Sequence, residues 1–243
     1  MKNYKLSDET KTLPCGTVLH RVVATTTFKV ACGMTITEGD VGGWIENESN
    51  LSDDAWVIGD AMIYGDALVY DDALVYGDAQ IYGDAQVSCN AEVYGNTRVY
   101  GNAQVYGDAE VSDHAQVSGD ARVFGYAWVS GDVQVSGDAK VSDSAKVYGN
   151  AQVSGNAQIC GNAEVAGDAK VMSASDYIVF KNNWSSGRYF TWTKSNDKWF
   201  VGCFYGTGDE LIKKAYADSE DSGKHYEVYV KLVETLKNME KTE

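Results

Sequence analysis

The sequence predicts a mainly β protein: a parallel β-helix of about 20 six-residue rungs, with an N-terminal β cap and a C-terminal α+β module. Three observations carry that prediction. From Ala55 to Val171 the motif Ala-x-Val-Tyr/Ser-Gly-Asp/Asn recurs every six residues for 20 hexads, without insertion or deletion. The aliphatic slot is Val or Ile in every hexad, and the small slot is Ala in all but two, where Thr97 and Val133 stand. Of the 19 two-residue connections, 15 begin with Gly and 16 end in Asp or Asn.

Each slot has a physical task. Within Ala-x-Val-Tyr the side chains alternate in, out, in, out, as a short strand requires. Gly then permits positive φ, and Asp or Asn bonds its own backbone, so the chain turns a corner after every strand. Stiff Val fills a narrow interior, and Ala leaves room where the walls converge. No hexad buries its apolar face alone, so stacking at about 4.8 Å per coil must build the core. The single Pro of the chain lies outside this region, where it removes no ladder donor.

Residues 1–54 read as the cap. A strand is expected over His20–Thr27, and a hairpin over Phe28–Ala31 and Met34–Thr37 around Cys32-Gly33. The Gly-rich run Glu38 to Glu46 then reads as a turn into the first coil. Residues 55–172 are the solenoid. Residues 173–243 read as the module, with strands over Asp176–Lys181, Gly187–Thr193 and Lys198–Phe204. Thr207-x-x-Glu210 forms a capping box that opens a helix to about Ala217. A second helix follows Ser222, with Tyr226, Tyr229, Val230, Val233 and Leu236 on one stripe.

Composition excludes more than it assigns. The 243 residues carry 35 acidic against 20 basic side chains, a net charge of −15. By segment the nets are −3, −11 and −1, so the solenoid is the acidic part. Direct nucleic-acid binding is not expected, because it needs clustered Lys and Arg. No stretch approaches the ~18 apolar residues of a membrane span, and Met1–Thr12 lacks the apolar core of a signal peptide. The five dispersed cysteines include no CxxC pair, which favours a reducing cytoplasm over a disulfide framework or zinc site.

The hexad array resembles the hexapeptide-repeat family of left-handed parallel β-helices, in which three hexads make one triangular coil. The resemblance covers residues 55–172 and implies left-handed coiling, which periodicity alone does not yield. It also implies frequent homotrimers, so self-association is expected. The run from Glu38 to Glu46 with Asn50-Leu51-Ser52, and Gly202-Cys203-Phe204-Tyr205-Gly206 near the other end, resemble a group of such proteins common in bacteriophages, prophages and gut bacteria. The family's acyltransferases carry a catalytic His and a loop inserted between coils. Here the ladder has no insertion, and its one His, His114, occupies a turn slot. The family's carbonic-anhydrase branch holds zinc with three His across a trimer interface, whereas His20, His114 and His225 fall one in each segment. The expectation is therefore no catalytic residue, no metal and no cofactor.

Binding is the remaining class. The outward slots of the first coils are apolar, with Trp56, Met62, Tyr64, Leu68, Tyr70, Leu74 and Tyr76, and aromatics return at Phe124, Tyr126 and Trp128. Such surface is expected to lie under the N-terminal segment or in an interface. In the module, Trp184, Trp192 and Trp199 with Arg188 and Lys194 form a candidate cleft for a flat anionic ligand such as a signalling nucleotide, although most of the rings are expected in the core. The solenoid's turn aspartates fall 18 residues apart in columns that either bind a hard cation or relieve their repulsion through the interspersed Asn. Acidic rods also imitate DNA, but the net charge density here is little more than half that of the ~18 phosphates on ~30 Å of duplex. The expected function is non-catalytic binding or scaffolding, with a host protein or a small nucleotide as the candidate partner; the alternatives are a phage counter-defence protein that sequesters a nucleotide signal or mimics DNA, and a hexapeptide-repeat acyltransferase.

Overall fold

The computed structural model describes residues 2–30 and 33–240. Its centre is a parallel β-solenoid of about seven turns. Three sheets form its walls, and each rung pairs with the rung 18 residues on, as Val99 with Val117 and Val93 with Val111. The Ala and Val slots are buried throughout and form one continuous core, which leaves no channel along the axis. The two irregular small-slot residues are buried as well. Thr97 satisfies its hydroxyl on the carbonyl of Tyr94 at 2.6 Å, so a polar group is carried in the core without cost.

The corners behave as left-handed turns. Gly95 has φ +71°, and a Cβ there would meet the backbone nitrogen of Asp113 at 2.9 Å. Four residues that replace Gly, namely Asp71, Cys89, Asp113 and Asp143, share this conformation, with φ from 58° to 60°. Three of the four compensate for the strain in the same way. Asp71, Asp113 and Asp143 accept the N–H one coil further on, from Cys89, Gly131 and Gly161 at 3.2, 2.9 and 2.9 Å.

The solenoid begins twelve residues before the boundary expected at Ala55. The strand Val41–Ile45 pairs in parallel with Met62–Ile63, and Leu51 bridges Val69. Ile45 and Leu51 thus continue the aliphatic slot backwards. Glu38 to Glu46 is therefore not simply a turn into the first coil. Upstream, Val18–Ala24 pairs antiparallel with Val41–Ile45, and Tyr4–Thr12 pairs with Val18–Ala24, extending one wall to ten strands. The strand Tyr4–Thr12 was not foreseen, and the strand expected over His20–Thr27 starts and ends earlier. Phe28–Lys29 pairs with Thr35–Ile36, while Ala31 and Cys32 of the expected hairpin lie outside the described residues.

The parallel ladder leaves unpaired backbone groups at both ends. Between coils the N–H groups donate both ways: forward from the outward slot, as from Trp56 to Ala73 O and from Gln152 to Ala169 O, and back from the aliphatic slot, as the register of Trp56 with Leu74 and Val57 with Val75 requires. The first and last coils therefore each present carbonyls and N–H groups that no further rung meets. At the first end, side-chain donors meet the carbonyls. Arg21 donates to Gly42 O and Gly59 O at 2.9 and 2.7 Å, Asn50 Nδ2 to Gly65 O and Ala67 O at 2.9 Å each, and Tyr4 to Leu51 O at 2.6 Å. Arg21 also stacks 4.2 Å over the Trp44 ring. At the last end, the Tyr177 hydroxyl donates to Gln158 O at 2.6 Å, and side-chain acceptors meet N–H groups. Thr191 Oγ1 takes Glu164 N–H at 2.9 Å, Ser195 Oγ takes Lys170 N–H at 2.7 Å, and Asp176 takes Met172 N–H at 2.8 Å.

Those acceptors belong to the module, a four-stranded antiparallel sheet with two helices. Its strands are Tyr177–Lys181, Tyr189–Thr193, Lys198–Val201 and Phe204–Gly206. The third expected strand is broken in two, because Gly202 turns the chain with φ +61°. Helix α1 (Gly208–Asp218) opens on the expected box, with Thr207 accepting Glu210 N–H and the Glu210 carboxylate accepting Thr207 N–H. Helix α2 (Glu220–Glu240) buries Tyr226, Val230 and Val233 against the sheet, while Leu236 of the expected stripe stays exposed.

Candidate functional site

The expected surface residues divide by their position along the rod. Trp56 is 2 % exposed and Leu74 is buried, so neither is an interface residue. The N-terminal segment covers that wall, and Phe28 packs edge-on against Trp56 with ring centroids 5.6 Å apart. Tyr76 is half-buried, stacks on Tyr94 at 4.7 Å and donates to Glu92 at 3.3 Å. Met62, Tyr64 and Tyr70 are half-buried and Leu68 is 38 % exposed, on two walls that the cap leaves open.

Stacking at the strand spacing gives these walls their form. Tyr64, Tyr82 and Tyr100 make a ladder with centroids 5.0 and 5.1 Å apart and planes within 3° of parallel. Tyr106 and Phe124 repeat this on another wall at 5.0 Å. Partial burial first, and neighbouring Tyr rings second, raise the hydroxyl pKa of Tyr64 and Tyr82 above the ordinary tyrosine value. The ladder is therefore neutral and donor-capable across physiological pH.

A second patch lies midway along the rod. Tyr126 fills a corner slot that otherwise holds mostly Asp or Asn and is 71 % exposed, with Trp128 beside it on the next wall. Arg122 and Lys140 are register neighbours on the wall before that corner, and Trp128 and Lys146 on the wall after it. Three of the solenoid's five basic residues thus flank one corner.

The turn columns follow plain hydrogen-bond chemistry. Asn90 donates to Asp108 at 3.0 Å and Asn102 to Asp120 at 2.9 Å, each one coil on. His114 stands exposed in its column between Asn96 and Asp132, at 3.4 and 3.8 Å. Among the described residues no group of three His, Cys, Asp or Glu side chains is placed to hold a metal ion, and no helix is long and apolar enough to cross a membrane.

In the module the expected cleft does not form. Trp192 and Trp199 are cross-strand neighbours buried in the core, so their faces are unavailable for stacking a ligand. Trp192 Nε1 is bound to Asp197 at 2.8 Å. Lys194 is paired with Glu240 at 2.6 Å. Trp184 is 69 % exposed and Arg188 is exposed, both on the connection between the first two strands, away from Lys194. Aromatic content alone could not separate core rings from a stacking site, because both draw on the same residue types.

A family model described as the YdcK Beta solenoid repeat matches residues 115–131, a stretch just short of one 18-residue coil. No curated protein matches the chain. This stretch contains Tyr126 and Trp128, so the likeness supports the solenoid repeat on the segment where its outer surface departs most from the Asp/Asn corner pattern.

Proposed function

We propose that this chain is a non-catalytic binding protein whose solenoid serves as a rigid, acidic scaffold. The carrying observation is that the solenoid's walls expose large apolar side chains at Leu68, beside the half-buried Met62 and Tyr70 near the cap, and at Tyr126 and Trp128 midway along. Elsewhere the outward slots hold mostly Gln, Ser, Glu, Lys and Arg. Localised apolar surface on an otherwise polar rod is the usual mark of an interface. The filled interior and the exposed turn position of His114 support binding over turnover.

The hexapeptide likeness supports left-handed coiling and a homotrimer built on the Met62–Tyr70 walls, with Tyr126 and Trp128 left to a second protein. The likeness of the Glu38–Glu46 run supports a phage or prophage source and a site of action inside a bacterial host. Light scattering on the wild type and on Leu68→Glu tests the assembly. A trimer that the substitution dissociates supports it, and a wild-type monomer at high concentration overturns it. Saturable turnover of acetyl-CoA, abolished by His114→Ala, would overturn the non-catalytic reading.

A further inference from the structure

The module's sheet ends on a strand suited to further pairing. Tyr177–Lys181 reads Tyr-Ile-Val-Phe-Lys and is paired on one side only, with Tyr189–Thr193. Lys194 N–H donates to Asp176 O and Asn182 N–H to Arg188 O, so by alternation Ile178 and Phe180 also bond to that neighbour. Tyr177, Val179 and Lys181 therefore turn their N–H and C=O groups to the other edge. Among the described residues no strand pairs there, and the Tyr229 hydroxyl reaches only the Lys181 carbonyl, at 3.5 Å. Edge strands are normally blunted by charges, proline or a bulge. The rod's own edge strand, Tyr4–Thr12, has four charged residues and a register shift, whereas this strand has one charge, at its end, and an even register.

The helix over this edge gives a second, independent sign. α2 lies on the sheet with Tyr229 5.3 Å from Phe180, and further along Leu236 and Met239 share a groove of about 330 Å³ with Ala174 and Ile178. α1 packs on one flank of α2, where Tyr216 donates to Glu227 at 2.7 Å. On the flank away from α1, Val228, Leu232, Leu236 and Met239 form an exposed apolar stripe at spacings of four, four and three. A lone peptide strand would satisfy the edge and leave most of this stripe bare.

We propose that both are covered by a second copy of this chain, related by a two-fold axis at Val179. Antiparallel pairing about that residue sets Val179 on Val179 and Tyr177 on Lys181, and these are the residues whose backbone groups turn outward. The strand's one charge then meets an aromatic residue rather than a second lysine, and Ile178 neighbours Phe180 of the second copy on the helix side. Because Tyr229 lies at Phe180 and Leu236 at Ile178, the middle of the stripe, Leu232, is level with Val179. The same axis therefore brings the two α2 helices together antiparallel, stripe on stripe, with their dipoles opposed. A helix about 30 Å long beside a five-residue strand is of the scale that a standard interface buries, about 800 Å² per partner. This contact uses neither the Met62–Tyr70 walls nor Tyr126, so it stands or falls apart from the trimer.

Sedimentation equilibrium on the Leu68→Glu chain, in which the wall contact is removed, isolates the module contact. A dimer is expected at tens of micromolar. Adding Leu232→Glu sets two carboxylates at the axis and should weaken the dimer at least tenfold, with an unchanged circular-dichroism spectrum because the site is exposed. Val179→Pro removes an N–H that no strand of this chain uses and should weaken it likewise, while Leu232→Met should keep it. A Leu68→Glu chain that stays monomeric at its highest soluble concentration overturns the inference and leaves the edge to another protein. So does a dimer that either Leu232→Glu or Val179→Pro leaves intact.

Discussion

The Asp113 carboxylate accepts the backbone N–H of Gly131, one coil further along, at 2.9 Å, while Asp113 itself sits at φ +60°. The side chain thus offsets a conformation that would otherwise favour Gly. Asp113→Ala should lower stability by about 2 kcal/mol, combining left-handed strain with a lost hydrogen bond. Asp113→Asn, which tolerates the same φ and keeps an acceptor, should cost under ~0.5 kcal/mol. Denaturant midpoints separate the two. An Asp113→Ala loss as small as that expected for Asp113→Asn would show that the bond and the backbone strain contribute little.

At the last coil, Thr191 and Ser195 close amides that no further rung can reach. Thr191→Val keeps the side-chain shape but removes the acceptor. Hydrogen exchange at Glu164 N–H should accelerate, with Val99 and Val117 in mid-rod unaffected, because neighbouring coils support one another locally. Exchange measured by mass spectrometry on peptides from both regions checks this.

Asn50 is buried and serves two carbonyls at once. Asn50→Ala leaves both unmet and should destabilise by about 1–3 kcal/mol. The effect should be read from an unfolding curve, with the surface substitution Tyr126→Asp as the reference. That change restores the usual corner residue at an exposed site and should move stability by no more than ~0.5 kcal/mol.

Burial raises the Asp197 carboxyl, but the stronger combined pull of Lys237 and the Trp192 indole holds it below the ordinary aspartate value. A carboxyl lowered in the folded state adds stability above its unfolded value, near ~3.9, and loses it as pH falls through the folded value. The wild type should therefore lose its advantage over Asp197→Asn on acidification below about pH 4, while keeping it near neutrality. Melting temperatures of both proteins across that range give the difference directly.

The solenoid was legible because its period is strict and every slot has one physical task. Even the exceptions at Asp71, Asp113 and Asp143 were visible as residues that tolerate left-handed turns. Its true start was also written in the sequence, since Ile45 and Leu51 stand twelve and six residues before Val57. Gly43 and Ser49 in the small slot broke the pattern enough to conceal it. The strand Tyr4–Thr12 left no such trace. It is largely polar and sits at a sheet edge, where pairing with Val18–Ala24 rather than its own periodicity specifies it. The fate of the module's tryptophans was hidden for another reason. Trp192 and Trp199 were visible as candidates, but only the packing shows that their rings are core.

The capping of the two rod ends has a consequence for how this molecule stays finite. Stripped of both terminal segments, the shaft would show unpaired N–H and C=O groups on both faces, spaced to match. A second shaft set on top would simply continue the spiral, and nothing in that head-to-tail contact would close upon itself. Growth would then run on as a filament, with each added chain repeating the last junction. Arg21, Asn50 and Tyr4 at one end, with Thr191, Ser195 and Asp176 at the other, are in this sense chain terminators: six side chains that turn a polymerisable repeat into a discrete particle.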